Sequence, residues 1–296
     1  MVSIPTVAAG AVTDRRLGGI PNSVLRVTLV LAVASLAGVW LGAMLLPILT
    51  LVLGSLAVGD GWGLDNYRAL TTVGDNQALL VPVTTALATS LRTAVDATWM
   101  ALLVGATVSL IVTRRSHSVA ERRVRSTLDG FFMLPLGVSA VTLGFGFLIT
   151  LDRPPLDLRD SPLLVPMAQA LVALPLVVRT LAPVLGGIDD RQRQAAASLG
   201  ASAWRTLLTV DLPVVWKPML AASGFAFAAS LGEFGATSFL ARDESPTLPV
   251  VIFRLIGHPG EMNYGMALAA SVVLAVATAV VMLAVERLRV PGVGAF

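Results

Sequence analysis

Six long apolar runs dominate the chain, at roughly 27–53, 84–112, 128–149, 163–185, 214–240 and 263–285. Each has the ~20 residues that a helix needs to cross ~30 Å of hydrocarbon. The runs neither alternate nor show one polar face, so a water-soluble core could not absorb them and lipid must solvate much of their surface. The fourth run is interrupted by Pro166, Pro175 and Pro183. Proline inside a span is tolerated where neighbours re-satisfy the freed carbonyls, which predicts a kinked helix packed in protein. A shorter apolar stretch, Leu248 to Ile256, carries Pro249 and Arg254. It is too short to span, and a short helix at the outer surface or dipping partway in is expected. The first apolar run is far too long for a secretory signal. The pattern therefore predicts an all-α integral membrane protein: an N-terminal segment 1–26, then one membrane domain over 27–290.

Composition agrees with the pattern. The chain is 55% hydrophobic and 13% charged, about half the charged share of a soluble domain, and its mean hydropathy is +0.81. There is no cysteine, which excludes disulfides, thiol nucleophiles and thiolate metal sites. The two histidines, His117 and His258, fall in loops. No metal site and no cofactor is expected.

The distribution of basic residues sets orientation. Thirteen arginines fall on one set of segments: Arg15, Arg16 and Arg26; Arg114, Arg115, Arg122, Arg123 and Arg125; Arg191, Arg193 and Arg205; Arg287 and Arg289. The alternate loops hold five, Arg68, Arg153, Arg159, Arg242 and Arg254, diluted by acids such as Asp60, Asp75 and Asp243. The excess of arginine marks the cytoplasmic side, so both termini are expected there, as six spans allow. The cluster from Arg114 to Arg125 reads as a topology determinant near anionic lipid. Nucleic acid is not expected, because no aromatic platform accompanies it.

The cytoplasmic loop 186–213 is the most informative stretch. Asp189 and Asp190 favour a helix start, since acids there complement the backbone dipole. Arg191 to Leu199 then reads as a short alanine-rich helix, and Gly200 ends it by adopting a left-handed backbone. Ser202 can cap a second helix, Ala203 to Val210, before Pro213 opens the fifth span. The product is a helix–turn–helix elbow whose small residues permit close approach by another protein.

Gln194-Ala195-Ala196, then three residues, Gly200, nine residues and Val210-Asp211-Leu212-Pro213 resembles the "EAA" loop of ABC importer permeases. The segments 90–94 and 133–139, and Ser230 to Thr237 followed by Thr247-Leu248-Pro249, resemble further parts of that family, so the likeness covers most of residues 84–290. It implies a six-helix type I ABC importer permease fold in the bacterial plasma membrane. The chain looks like the C-terminal half of a fused thiamine or iron permease standing alone. The implied partners are ABC ATPase subunits, a second permease half (an identical or homologous chain), an extracytoplasmic solute-binding protein and membrane lipid. Gln194, Ala195, Ala196, Ser198, Leu199, Gly200 and Ala201 would lie at the ATPase interface, with Leu212 and Pro213 setting the elbow into the fifth span. The family's glutamate is Gln194 here, which loses any charge-assisted pair. The resemblance points to thiamine or ferric iron as cargo, and after those to sulfate or molybdate.

Charges inside the spans are the remaining signals. Glu233, between Gly232 and Gly235, is expected to line or gate the pathway, or to pair with an arginine such as Arg92 or Arg242. Arg92 and Asp96, four residues apart in the second span, suggest an ion pair. Arg179 and Lys217 suggest snorkelling to the cytoplasmic surface. No phosphate-cradling G-x4-G-K-[ST] loop occurs, so the chain is not itself expected to hydrolyse ATP. An intramembrane serine protease would need G-x-S-x-G, which is absent. An ion-coupled secondary transporter remains the alternative, with Glu233 as its thin support.

Overall fold

The computed structural model describes residues 22–72, 79–114, 118–152 and 157–288, with side chains from Arg26 onward. Most of the segment 1–26, with Arg15 and Arg16, lies outside the described residues, as do Asp75, Arg115, His117, Arg153 and Arg289.

Helix α1 runs from Asn22 to Leu56. Its residues up to Thr50 belong to a first compact unit and the rest of the chain to a second. Side chains 26–50 are all exposed, and nearly all are apolar. A helix hydrophobic on every side belongs in lipid or against another membrane helix.

The second unit opens with the last turn of α1, a two-residue hairpin of β1 (Ala57–Val58) and β2 (Gly61–Trp62), and α2 (Asp65–Ala69). Asn66 is buried and locks this segment, donating to the carbonyls of Ser55 (3.0 Å) and Ala57 (2.9 Å). The core of the unit is α3 (Val83–Thr113), α6 (Leu164–Gly186) and α9 (Leu212–Leu231). Ala97, Ala101, Ala173, Ala222 and Ala226 form much of their shared interior. In lipid, helices associate through close packing rather than water exclusion, so small residues at the contacts are what this requires. Helix α11 (Leu248–Gly257) buries Leu248, Val251 and Leu255 against Met266, Ala267 and Ala270 of α12 (Glu261–Leu288).

Two spans differ from the sequence reading. In place of one helix over 128–149 there are two, α4 (Val119–Met133) and α5 (Ala140–Thr150), bent by 101°. Leu134-Pro135-Leu136 forms a 3₁₀ turn between them. Pro135 cannot donate and restricts the residue before it, which ends α4 at that point. Helix α4 also starts earlier than expected, at an N-cap in which Ser118 Oγ accepts from Glu121 N at 3.1 Å. The run 214–240 is broken too. Helix α9 stops at Leu231, and a separate turn of helix, α10 (Thr237–Leu240), follows a break at 232–236. Among the described residues five helices are long and apolar enough to span, and the bent α4–α5 pair makes a sixth if it is counted as one span.

The break after α9 packs on α5. A Cβ at Gly235 would lie 3.0 Å from Ala140 Cβ, and one at Gly144 would lie 2.5 Å from Ala236 Cα. Irregular backbone at membrane depth survives only where protein or a water-filled cavity surrounds it.

Candidate functional site

The elbow is two helices joined at Gly200. Helix α7 (Asp190–Ser198) begins at Asp189, whose Oδ1 accepts from Arg191 N at 2.9 Å. It ends in a complete Schellman turn. Gly200 has φ +82°, its N–H donates to Ala197 O (2.9 Å), and Ala201 N donates to Ala196 O (3.0 Å). Helix α8 (Ala203–Thr206) is capped by Ser202, whose Oγ accepts from Arg205 N at 3.3 Å. A π-turn over Leu207–Asp211 then leads into α9.

This knuckle is bare. Gln194, Ala195, Ser198 and Gly200 are exposed, Ala196 and Ala201 half-buried, and Leu212 and Pro213 exposed at the start of α9. Leu199 is 89% exposed and Trp204 67%. A Cβ added at Gly200 would meet nothing within 4 Å. Two large exposed apolar side chains on either side of an open glycine suit contact with another protein.

Beneath the knuckle lies an ionic network that sequence reading missed. Asp211, 1% exposed, accepts from Arg114 Nη2 at 2.6 Å and from Arg193 Nε at 2.8 Å. Arg193 also donates Nη1 to Asp190 (2.9 Å) and Nη2 to Leu185 O (3.2 Å). One carboxylate therefore ties the end of α3 and the start of α7 to the π-turn, while Arg193 reaches on to the end of α6. The guanidinium fork suits this, because it offers donors in several fixed directions. The only clue in the sequence was an acid in the otherwise apolar Thr-Val-Asp-Leu-Pro run.

The second set of residues, Gly232, Glu233 and Gly235, sits in the break after α9, roughly 30 Å along that 20-residue helix from the elbow. Glu233 is buried. Its partners are backbone amides rather than Arg92 or Arg242. Oε1 accepts from Ala236 N (2.7 Å) and Oε2 from Thr237 N (3.0 Å), so the carboxylate caps α10. Arg242 instead reaches Arg159 O at 3.1 Å. Glu233→Ala is expected to lower stability by about 2 kcal/mol and Glu233→Gln by about half that, since the amide keeps one acceptor. Thermal unfolding of the detergent-purified chain reads this difference, and equal midpoints for all three proteins would remove the cap from the account.

Other expectations fare differently. Arg92 and Asp96 form no ion pair among the described residues, although Arg68–Asp65 and other pairs do. The order is the weaker one, with the base N-terminal to the acid, and aspartate is short. Ser90, in the 90–94 motif, has an unforeseen role: its Oγ accepts from Leu248 N at 2.7 Å and so caps α11 from α3. Arg179 and Lys217 are both exposed.

Comparison with known proteins gives this arrangement relatives. The family model described as "Binding-protein-dependent transport system inner membrane component" matches residues 101–289. The molybdenum transport system permease protein ModB of Haemophilus influenzae is 36% identical over 150 residues, 46% of this chain and 66% of that protein. The chain thus spans a little under two thirds of that relative's length. The putative 2-aminoethylphosphonate transport system permease protein PhnV of Salmonella typhimurium is 30% identical over 69% of this chain and 74% of its own length. A probable sulfate transport system permease protein of Chlorokybus atmophyticus is 31% identical over 56% of this chain and 60% of its own. Among solved structures, a chain of a bacterial ABC transporter involved in alginate import superposes with a TM-score of 0.69 at 16% identity, covering 91% of this chain and 98% of that one. That likeness supports the fold alone.

Proposed function

The chain belongs to the family of inner-membrane components of binding-protein-dependent transport systems, and from that premise we propose that it is a permease subunit of an ATP-binding-cassette importer. It encloses half of a translocation pathway, and its elbow docks on a separate ATP-hydrolysing subunit. The bare knuckle at Gly200 carries this reading. An exposed Schellman turn flanked by Leu199 and Trp204 offers a small, rigid surface that a cleft can grip. ATP-driven movement of that cleft would pull on α7, and the Asp211 network would pass the displacement to α3, α6 and α9 together. A ligand shifts the equilibrium between inward and outward states only as far as it binds them differently.

The same reading places both termini in the cytoplasm and the contact between α5 and the break after α9 toward the outer side. A second permease half, identical or homologous, completes the pathway there, and an extracytoplasmic binding protein delivers the cargo. Gly232, Glu233 and Gly235 shape this region, with Glu233 acting through the backbone it caps. For an ion-coupled carrier Glu233 would need to be available to a proton or cation, but both its oxygens are engaged by amides. The relatives' names point to oxyanion or phosphonate cargo, such as molybdate or sulfate. Thiamine and ferric iron, suggested by the motifs alone, stand behind these.

Gly200→Asp tests the docking. Nothing within 4 Å obstructs the new side chain, and the left-handed backbone costs a non-glycine residue about 1–2 kcal/mol. The variant is therefore expected to fold and reach the membrane. Co-purification of the ATPase should fall at least ~10-fold, as for loss of an interface hot spot. Full recovery of ATPase with the variant would overturn the proposal. Uptake by cells of labelled molybdate, sulfate and 2-aminoethylphosphonate against thiamine and ferric iron, with and without the chain, identifies the cargo.

A further inference from the structure

Between α3 and α4 two clefts of opposite chemistry meet. One, of about 440 Å³, is lined by Val112, Arg114, Arg122, Arg125, Ser126 and Asp129. The other, of about 330 Å³, is walled almost wholly by apolar atoms, with Leu103, Ile111, Leu128 and Phe132 among its lining. Val112 belongs to both. A third cleft of about 250 Å³ continues the apolar trough through Val104 and Phe132 toward Met100 and Met167.

The basic cleft has three guanidinium groups against one carboxylate. Arg114 commits Nη2 to Asp211. Arg125 Nη1 is buried and has no hydrogen-bond partner among the described residues. A buried cationic donor without an acceptor is costly, and an anionic oxygen in the cleft would satisfy it. Helix α4 follows the same division. Its first half carries Arg122, Arg123 and Arg125, and its second half Leu128, Phe131 and Phe132. An inorganic oxyanion would use the basic cleft but not the trough. A phospholipid uses both, because its head is charged and its tail apolar.

We propose that the groove between α3 and α4 binds an anionic phospholipid. Its phosphate lies among Arg114, Arg122 and Arg125, and one acyl chain runs along Leu103, Ile111, Leu128 and Phe132. The site borders the elbow network through Arg114. It rests on this groove alone and not on the transport reading.

The full-length chain in detergent is titrated with phosphatidylglycerol, with phosphatidylcholine of the same acyl chains and with inorganic phosphate, and bound ligand is read by native mass spectrometry. Phosphatidylglycerol is expected to outlast phosphatidylcholine. The double variant Arg122→Ala/Arg125→Ala should weaken it about 30-fold, at roughly one surface charge interaction per arginine, and leave phosphatidylcholine unchanged. Thr107→Trp, which fills the trough without touching the arginines, should also lower phosphatidylglycerol retention. Because Arg122 lies exposed on α4, the single variant Arg122→Glu provides the same reading if the double variant fails to fold. Equal retention of the two lipids by the unaltered chain would overturn the proposal, as would a double variant that still binds phosphatidylglycerol fully. Inorganic phosphate competing as well as the lipid would overturn it too, leaving only a site for a free oxyanion.

Discussion

Asp211→Ala is expected to destabilise the folded chain by about 3–5 kcal/mol, the usual consequence of removing one partner from a buried ion pair. Asp211 is 1% exposed, and Arg193, the more deeply buried of its two partners, is only slightly more open. Without the carboxylate, Arg193 keeps Asp190 and Leu185 O but loses its Nε acceptor. Arg114 retains partial access to solvent and should contribute less to the loss. Asp211→Asn should fall between, because an amide offers one oxygen and turns an N–H₂ toward the other arginine. Adding Arg193→Leu to Asp211→Ala should restore part of the loss, since groups in one network are not additive. Arg193→Lys should behave like a deletion, as a single ammonium cannot serve Asp211, Asp190 and Leu185 O in their three directions. Tryptophan fluorescence during thermal unfolding measures each step. A midpoint unchanged in Asp211→Ala would show that the network bears no stability. Within the transport reading the same variant has a second signature. Its ATPase should still bind, because the knuckle is intact, but hydrolysis should no longer respond to delivered cargo.

How much of this was legible in the sequence follows from how local each signal is. Membrane spans read out because apolar runs of twenty residues have few other solutions. The elbow read out because helix caps are short-range: Asp189, Gly200 and Ser202 each act on backbone within three residues of themselves. The Asp211 network did not, because its two arginines lie 18 and 97 residues away, and an arginine near a span end already had an explanation as a topology signal. Glu233 misled differently. A carboxylate in an apolar run suggests a charged partner, yet its partners are amides three and four residues on. Those amides become available only because α9 stops at Leu231. The break in the third span was hidden by its own hydrophobicity. Residues on both sides of Pro135 are apolar enough for one window to cover them, and hydropathy carries no angle.

The contact between the two broken spans gives the second large effect. Gly144→Leu is expected to destabilise the chain by about 3 kcal/mol, at the upper end of what overpacking a tight contact costs. A Cβ there would lie 2.5 Å from Ala236 Cα, 2.7 Å from its carbonyl oxygen and 3.0 Å from its carbonyl carbon. All three are backbone atoms, so no side-chain rotation relieves the clash. The segment they belong to is held on its other side by Glu233, which accepts from Ala236 N itself. It therefore cannot retreat without losing its cap. Gly146, two residues on in the same helix, supplies the control. Its Cβ would meet nothing within 4 Å, and replacing a helical glycine removes backbone entropy from the unfolded chain. Gly146→Leu should leave stability unchanged or raise it by about 0.5–1 kcal/mol. Two thermal midpoints, one lowered and one not, would localise the contact to the face that carries Gly144. Equal midpoints would mean that α5 and the break after α9 do not meet as closely as their glycines require.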